Sequence, residues 1–176
     1  MRHLPNLLTA ARLVAGFFAF RAILSLEFVA ALVLAVAAGI TDALDGYLAR
    51  RYGWISRLGA WMDPVADKIL LSGAFLCLGS VRAVPVCVVY VVLGRDVWIL
   101  AGAALAFVVT GRRDFPPSRL GKASTAVQIV NVAAVLAANA APIPGLALAA
   151  AWLYYATATM AVLSAAHYTW RMIRPG

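Results

Sequence analysis

FVAALVLAVAAGITDALDGYLAR, residues 28–50, decides the fold. From Phe28 to Ile40 no side chain is polar, and the run then meets Asp42, Asp45 and Arg50 without a helix breaker. A segment of about 20 mostly apolar residues spans a bilayer as a helix. Its charged end then marks the place where the helix reaches the polar interface. Working outward, five further stretches have the same character, at about 5–26, 59–80, 84–110, 121–140 and 145–170. The fold class expected is an all-α integral membrane protein with six transmembrane helices, residues 1–176 forming a single transmembrane domain.

Composition agrees. Hydrophobic residues make up 64% of the 176-residue chain and charged residues 12%. Soluble domains carry roughly 45–50% and 25% respectively. A disordered chain, a coiled coil and an ordinary cytosolic enzyme are disfavoured, and no soluble basic face is visible for nucleic acid. Cys77 and Cys87 have no metal-ligand or disulfide spacing and read as packing residues. The apolar N-terminal stretch is interrupted by Asn6, Arg12 and Arg21, so it reads as a retained helix rather than a signal peptide.

The formal charge of +8 is unevenly placed. Arg2, then Arg50, Arg51 and Arg57, then Arg112, Arg113, Arg119 and Lys122, and finally Arg171 and Arg174 fall in alternate connections or at the ends. The intervening connections carry only Glu27 and Arg82, or nothing. Positive residues stay on the cytoplasmic side, which places both termini there. Short loops then suggest a multi-pass protein of the bacterial cytoplasmic (inner) membrane.

Four acids sit inside or at the edge of apolar helices: Asp42, Asp45, Asp63 and Asp67. Each intramembrane carboxylate costs roughly 2.5–3.5 kcal/mol on an insertion scale, so the group needs compensation. Asp42 and Asp45 are spaced i, i+3 and Asp63 and Asp67 i, i+4, so each pair shares one helix face. The second helix ends, and the third begins, at the cytoplasmic boundary, so the two pairs can meet. Two divalent cations are the natural counter-charge, and oxygen ligands without His or Cys favour Mg²⁺ or Mn²⁺. The competing reading is a cation or proton relay in a small transporter, or structural pairing with Arg12, Lys68 and Arg95.

The residues between the acids favour the first reading. They complete the spacing D-x2-D-G-x2-A-R-x8-G-x3-D-x3-D from Asp42 to Asp67. Gly46 and Ala49 leave a shallow helix surface for a flat base, Gly59 removes a side chain near the start of the third helix, and Arg50 offers a guanidinium fork to phosphate. This constellation resembles the CDP-alcohol phosphatidyltransferases, whose signature matches Asp42, Asp45, Gly46, Ala49, Arg50, Gly59, Asp63 and Asp67. The resemblance implies a homodimeric membrane enzyme that transfers a phosphatidyl group from CDP-diacylglycerol to an alcohol and releases CMP. It further implies that the four aspartates hold two divalent ions on the donor pyrophosphate, that Asp67 also serves as general base, and that the two glycines and Ala49 shape the cytidine pocket.

Pro5-Asn6-Leu7-Leu8-Thr9, Asp63-Pro64-Val65-Ala66-Asp67-Lys68, Arg95-Asp96 and Gly121-Lys122 followed by Thr125 and Gln128 are similar to the cardiolipin synthase and phosphatidylglycerophosphate synthase branches. Arg95-Asp96-Val97, Ser124 to Gln128 and His167-Tyr168 lean toward the former. The acceptor implied is phosphatidylglycerol, with glycerol 3-phosphate as the alternative. Arg95, Arg113, Arg119 and Lys122 are the candidate acceptor contacts, because a guanidinium or ammonium group grips phosphate. Asn6, Thr9 and Arg12 form a polar strip on the first helix that can face the donor headgroup. Tyr52, Trp54, Trp61 and Trp170 suit an interfacial aromatic belt. His3 and His167 have no partner spacing, and neither is assigned a catalytic role.

Overall fold

Apolar residues recur around the whole circumference of the helices rather than along one stripe, the pattern of helices surrounded by other helices or by lipid. The structure, a computed structural model, describes the backbone of residues 4–52, 57–110, 118–141 and 143–173, and the side chains of 10–43, 65–105, 107–108, 118–141, 143 and 145–172. It is all-helical, with α1 (Leu4–Leu24), α2 (Phe28–Tyr52), α3 (Arg57–Ser80), α4 (Val86–Thr110), α5 (Arg119–Ala140) and α6 (Pro144–Ile173). Val86–Leu105, Arg119–Ala140 and Gly145–Met172 are long and apolar enough to cross a membrane, and Phe28–Ala43 forms a shorter apolar stretch. Phe17, Val33, Tyr90, Val108 and Trp152 point outward and are well exposed, an exterior suited to lipid rather than water.

Two of the connections are tight. Leu26 and Arg82 adopt φ of 63° and 60°, and the following amides reach five residues back, Glu27 N to Ala22 O at 2.8 Å and Ala83 N to Leu78 O at 2.9 Å. Each is a left-handed helix stop of the kind glycine usually supplies. The stop at Leu26 fixes α1 and α2 as an antiparallel hairpin.

The core is built from Ile23, Phe75, Leu78, Val84, Val92, Val135 and Leu136. Helix α1 packs on both α2 and α3, α2 packs on α5, α4 packs on α6, and α5 and α6 form the most extensive pair. Arg12 meets Asp67, Gly16 meets Leu70, and Phe20 meets Gly73, so α1 and α3 run parallel and touch once per turn. A Cβ at Gly16 would overlap the Leu70 side chain, which explains how closely the two helices approach. Between α5 and α6, Asn131 donates to Thr157 Oγ1 at 2.8 Å and to Leu153 O at 3.3 Å, an apolar-environment tether from two fully buried polar side chains. Cys77 packs against the core as the sequence suggests, but Cys87 is exposed on the outer side of α4.

Candidate active site

The acidic helices do not pack on one another among the described residues; α1 touches both. Arg12 is the link. One guanidinium nitrogen pairs with Asp42 on α2, and Nη1 donates to Asp67 Oδ1 on α3 at 3.0 Å. The Arg12 side chain is 5% exposed, whereas those of Asp42 and Asp67 are 50% and 55% exposed. Carboxylates from two helices therefore converge on one buried cation while both side chains stay half exposed and line a shared space.

That space is a cavity of about 570 Å³. Arg12, Asp42, Asp67 and Lys68 supply its charged groups, and Phe20, Ile23, Leu32, Leu71, Ile129 and Leu136 are among its apolar walls. The donor set suits a hard divalent ion, because the converging atoms are carboxylate oxygens. Among the described residues no three His, Cys, Asp or Glu side chains gather into a larger group. Asp45 and Asp63 lie on the same two helices, but their side chains, with those of Asn6, Thr9, Gly46, Ala49, Arg50 and Gly59, fall outside the described residues.

A second charged cluster adjoins the first. Lys68, one residue beyond Asp67, pairs with Asp96 Oδ1 on α4, and the same oxygen accepts from Arg95 Nη1 at 2.6 Å. Arg95 Nη2 also donates to Ser164 Oγ on α6 at 2.9 Å and approaches Gly121 O on α5 at 3.5 Å. Arg95 and Asp96 are buried, with exposures of 6% and 7%. The Arg95 guanidinium thus ties α4 to α5 and α6, Asp96 links the cluster to α3 through Lys68, and the Arg95 partners are all internal. Lys68 is the more accessible cation, its side chain being 42% exposed.

Helix α5 is capped by Ser118, whose Oγ accepts from Gly121 N at 3.0 Å, while Ser118 N donates to Tyr168 Oη on α6 at 3.0 Å. This cap fixes the first turn that carries Arg119 and Lys122, both exposed. Lys122 lies three residues before Thr125, which lines the cavity, so it occupies the same side of α5. Arg113 lies outside the described residues.

Comparison with known proteins identifies the class. The family model described as CDP-alcohol phosphatidyltransferase matches residues 2–164. The chain belongs to that family. Over 155 residues it is 34% identical to the cardiolipin synthase (CMP-forming) of Rattus norvegicus, covering 77% of this chain and 50% of the rat protein. It is 35% identical over 107 residues to the CDP-diacylglycerol-glycerol-3-phosphate 3-phosphatidyltransferase of Bacillus subtilis, covering 61% of this chain and 54% of that protein. The enzyme of the same name from Rickettsia felis is 34% identical over 143 residues, 73% of this chain and 71% of its own length. The chain spans about half the length of the cardiolipin synthase relatives it matches. Membership of the CDP-alcohol phosphatidyltransferase family favours the transferase over the transporter reading.

The sequence pointed to Asp42 and Asp67 from spacing, and to Arg12, Lys68 and Arg95 as possible structural partners. It did not single out Asp96 as the carboxylate shared by Lys68 and Arg95. The available signal was an acid beside an arginine in the middle of an apolar helix, where neither is tolerated alone.

Proposed function

We propose that this chain transfers a phosphatidyl group from CDP-diacylglycerol to an alcohol, with phosphatidylglycerol as acceptor and cardiolipin as product. The observation that carries the reading is the cavity whose apolar walls end at Arg12, Asp42, Asp67 and Lys68. Its walls suit acyl chains, and its charged residues suit a pyrophosphate headgroup. The acceptor hydroxyl oxygen attacks the phosphatidyl phosphorus, the bond from that phosphorus to the CMP oxygen breaks, and the hydroxyl proton passes to Asp67.

Asp42, Asp45, Asp63 and Asp67 are the residues that would hold two divalent cations, Mg²⁺ or Mn²⁺, which when bound supply neutralisation of charge on the phosphoryl oxygens. Gly46, Ala49 and Gly59 shape the cytidine site, with Arg50, Asn6 and Thr9 along the donor headgroup. Arg95, Lys122, Arg113 and Arg119 receive the acceptor phosphate, Arg119 and Lys122 from the first turn of α5 and Arg95 from beside it through its bond to Gly121 O. The placement of basic residues supports six spans with both termini cytoplasmic, and the bacterial relatives support the bacterial cytoplasmic membrane. In this reading residues 1–176 act as one domain and the working unit is a homodimer, as the family resemblance implies.

Glycerol 3-phosphate is the second acceptor reading, favoured by the Bacillus subtilis and Rickettsia felis relatives. The test is detergent-solubilised protein given labelled CDP-diacylglycerol and Mn²⁺ or Mg²⁺, with phosphatidylglycerol, glycerol 3-phosphate, serine and inositol phosphate offered in turn. Chelator-sensitive CMP release with a cardiolipin mass is expected. A phosphatidylglycerophosphate mass selects the second acceptor, and cation flux into liposomes without CMP release overturns the transferase.

A further inference from the structure

We propose that Arg12 is a built-in counter-ion of the acidic site, occupying Asp42 and Asp67 when divalent metal is absent and competing with it for those carboxylates. The inference rests on the metal-dependent reading above and goes beyond it, because the family signature running from Asp42 to Asp67 does not include Arg12.

The geometry is unusual for a structural ion pair. Arg12 is 6% exposed, and it bridges carboxylates on two helices that do not otherwise pack among the described residues. Its placement is set from below, where Gly16 lets α1 press against Leu70 one turn further along both helices. An oxygen atom that accepts a charge-assisted bond from a guanidinium has one fewer lone pair for a metal ion. A cation already among the acids also lowers their attraction for a second one.

The same bridge has a protective effect. Asp42 on α2 and Asp67 on α3 both reach the Arg12 guanidinium, and carboxylates drawn to one place repel when nothing neutralises them. Arg12 holds α2 and α3 in a receptive arrangement before metal arrives, and metal entry loosens that hold. Two opposing results follow from one side chain: removal of Arg12 weakens the metal-free protein and tightens metal binding.

The experiment uses the full chain in detergent micelles, without lipid substrate, and Mn²⁺ as probe. Binding is read by calorimetry and by the loss of the free Mn²⁺ resonance signal, and thermal unfolding is followed with and without saturating Mn²⁺. Arg12→Met is expected to bind Mn²⁺ about tenfold more tightly than wild type, the order expected for losing a charge-assisted hydrogen bond. Arg12→Lys, which keeps the charge but cannot fork to two helices, is expected to fall between them. The melting temperature of Arg12→Met should lie below wild type in chelator and draw level in Mn²⁺.

Equal Mn²⁺ affinity in wild type and both variants overturns the competition, as does a loss of melting temperature that is the same with and without metal. Should Arg12→Met fail to fold in chelator, its recovery by purification in Mn²⁺ supports the proposal, and unfolding of both variants in either condition overturns it. Wild-type protein that binds no Mn²⁺ at any concentration strikes instead at the metal-dependent reading on which the inference rests.

Discussion

Lys68 on α3 and Asp96 on α4 form an ion pair on the same carboxylate oxygen that receives Arg95. One acid thereby restrains two cations of different exposure: a buried guanidinium that joins helices, and an ammonium group that faces the cavity. Removing Asp96 leaves Arg95 buried without its charge partner, which costs about 3–5 kcal/mol for pairs of this kind. Asp96→Ala should therefore lower the melting temperature sharply in detergent, while Asp96→Asn, which preserves one acceptor oxygen, should lower it less.

Lys68 itself contributes little to stability, because a half-exposed ion pair is worth about 0–1 kcal/mol. Lys68→Met should melt close to wild type but show a raised KM for CDP-diacylglycerol, since it removes a positive charge from the space proposed for the pyrophosphate. An unchanged KM would leave Lys68 as a tether between α3 and α4 and nothing more.

Asp67 is proposed to take the acceptor proton as well as to bind metal. Asp67→Asn keeps the size of the side chain and one oxygen, but it cannot act as a carboxylate base. CMP release at saturating metal and donor should fall by roughly 10²–10⁴-fold, with donor still bound in an equilibrium assay. Wild-type turnover in a variant that binds both would remove the base from the scheme.

The Phe20 ring lies across Gly73, where an added Cβ would come within 2.5 Å of Cζ. An aromatic ring cannot flex aside as a leucine tip can. Gly73→Ala should cost about 1–3 kcal/mol through overpacking, and a second substitution, Phe20→Leu, should restore most of it. Both readings come from thermal unfolding of the single and double variants.

Ser118→Ala removes the side chain that caps α5 and should cost about 1 kcal/mol. The same change loosens the turn that presents Lys122, so the apparent KM for the acceptor should rise while that for the donor stays put. Initial rates at varied acceptor concentration give the comparison.

Helix limits were largely legible in the sequence because each apolar run is closed by charge, Pro or a short polar turn. The stretch expected at about 5–26 ends in the structure at Leu24, since Leu26 takes a left-handed conformation that no glycine announces. Spacing also placed Asp42 and Asp45 on one helix face and Asp63 and Asp67 on another. It could not reveal which helix stands between those faces. Helical periodicity describes one element at a time, whereas the Arg12 bridge depends on α1 lying between α2 and α3, which is set by packing at Gly16 and Gly73. The sharing of Asp96 by Lys68 and Arg95 was hidden for the same reason.

Two tyrosines on α6 hold it at separate levels: Tyr154 donates to Ala83 O at 2.8 Å beside the α3–α4 turn, and Tyr168 accepts from Ser118 N at 3.0 Å at the start of α5. Fourteen residues of helix, roughly 21 Å, separate these latches. A rod pinned at two levels resists sliding and tilting. The α4–α6 side of the bundle is consequently held at one height against both the α3–α4 turn and the first turn of α5.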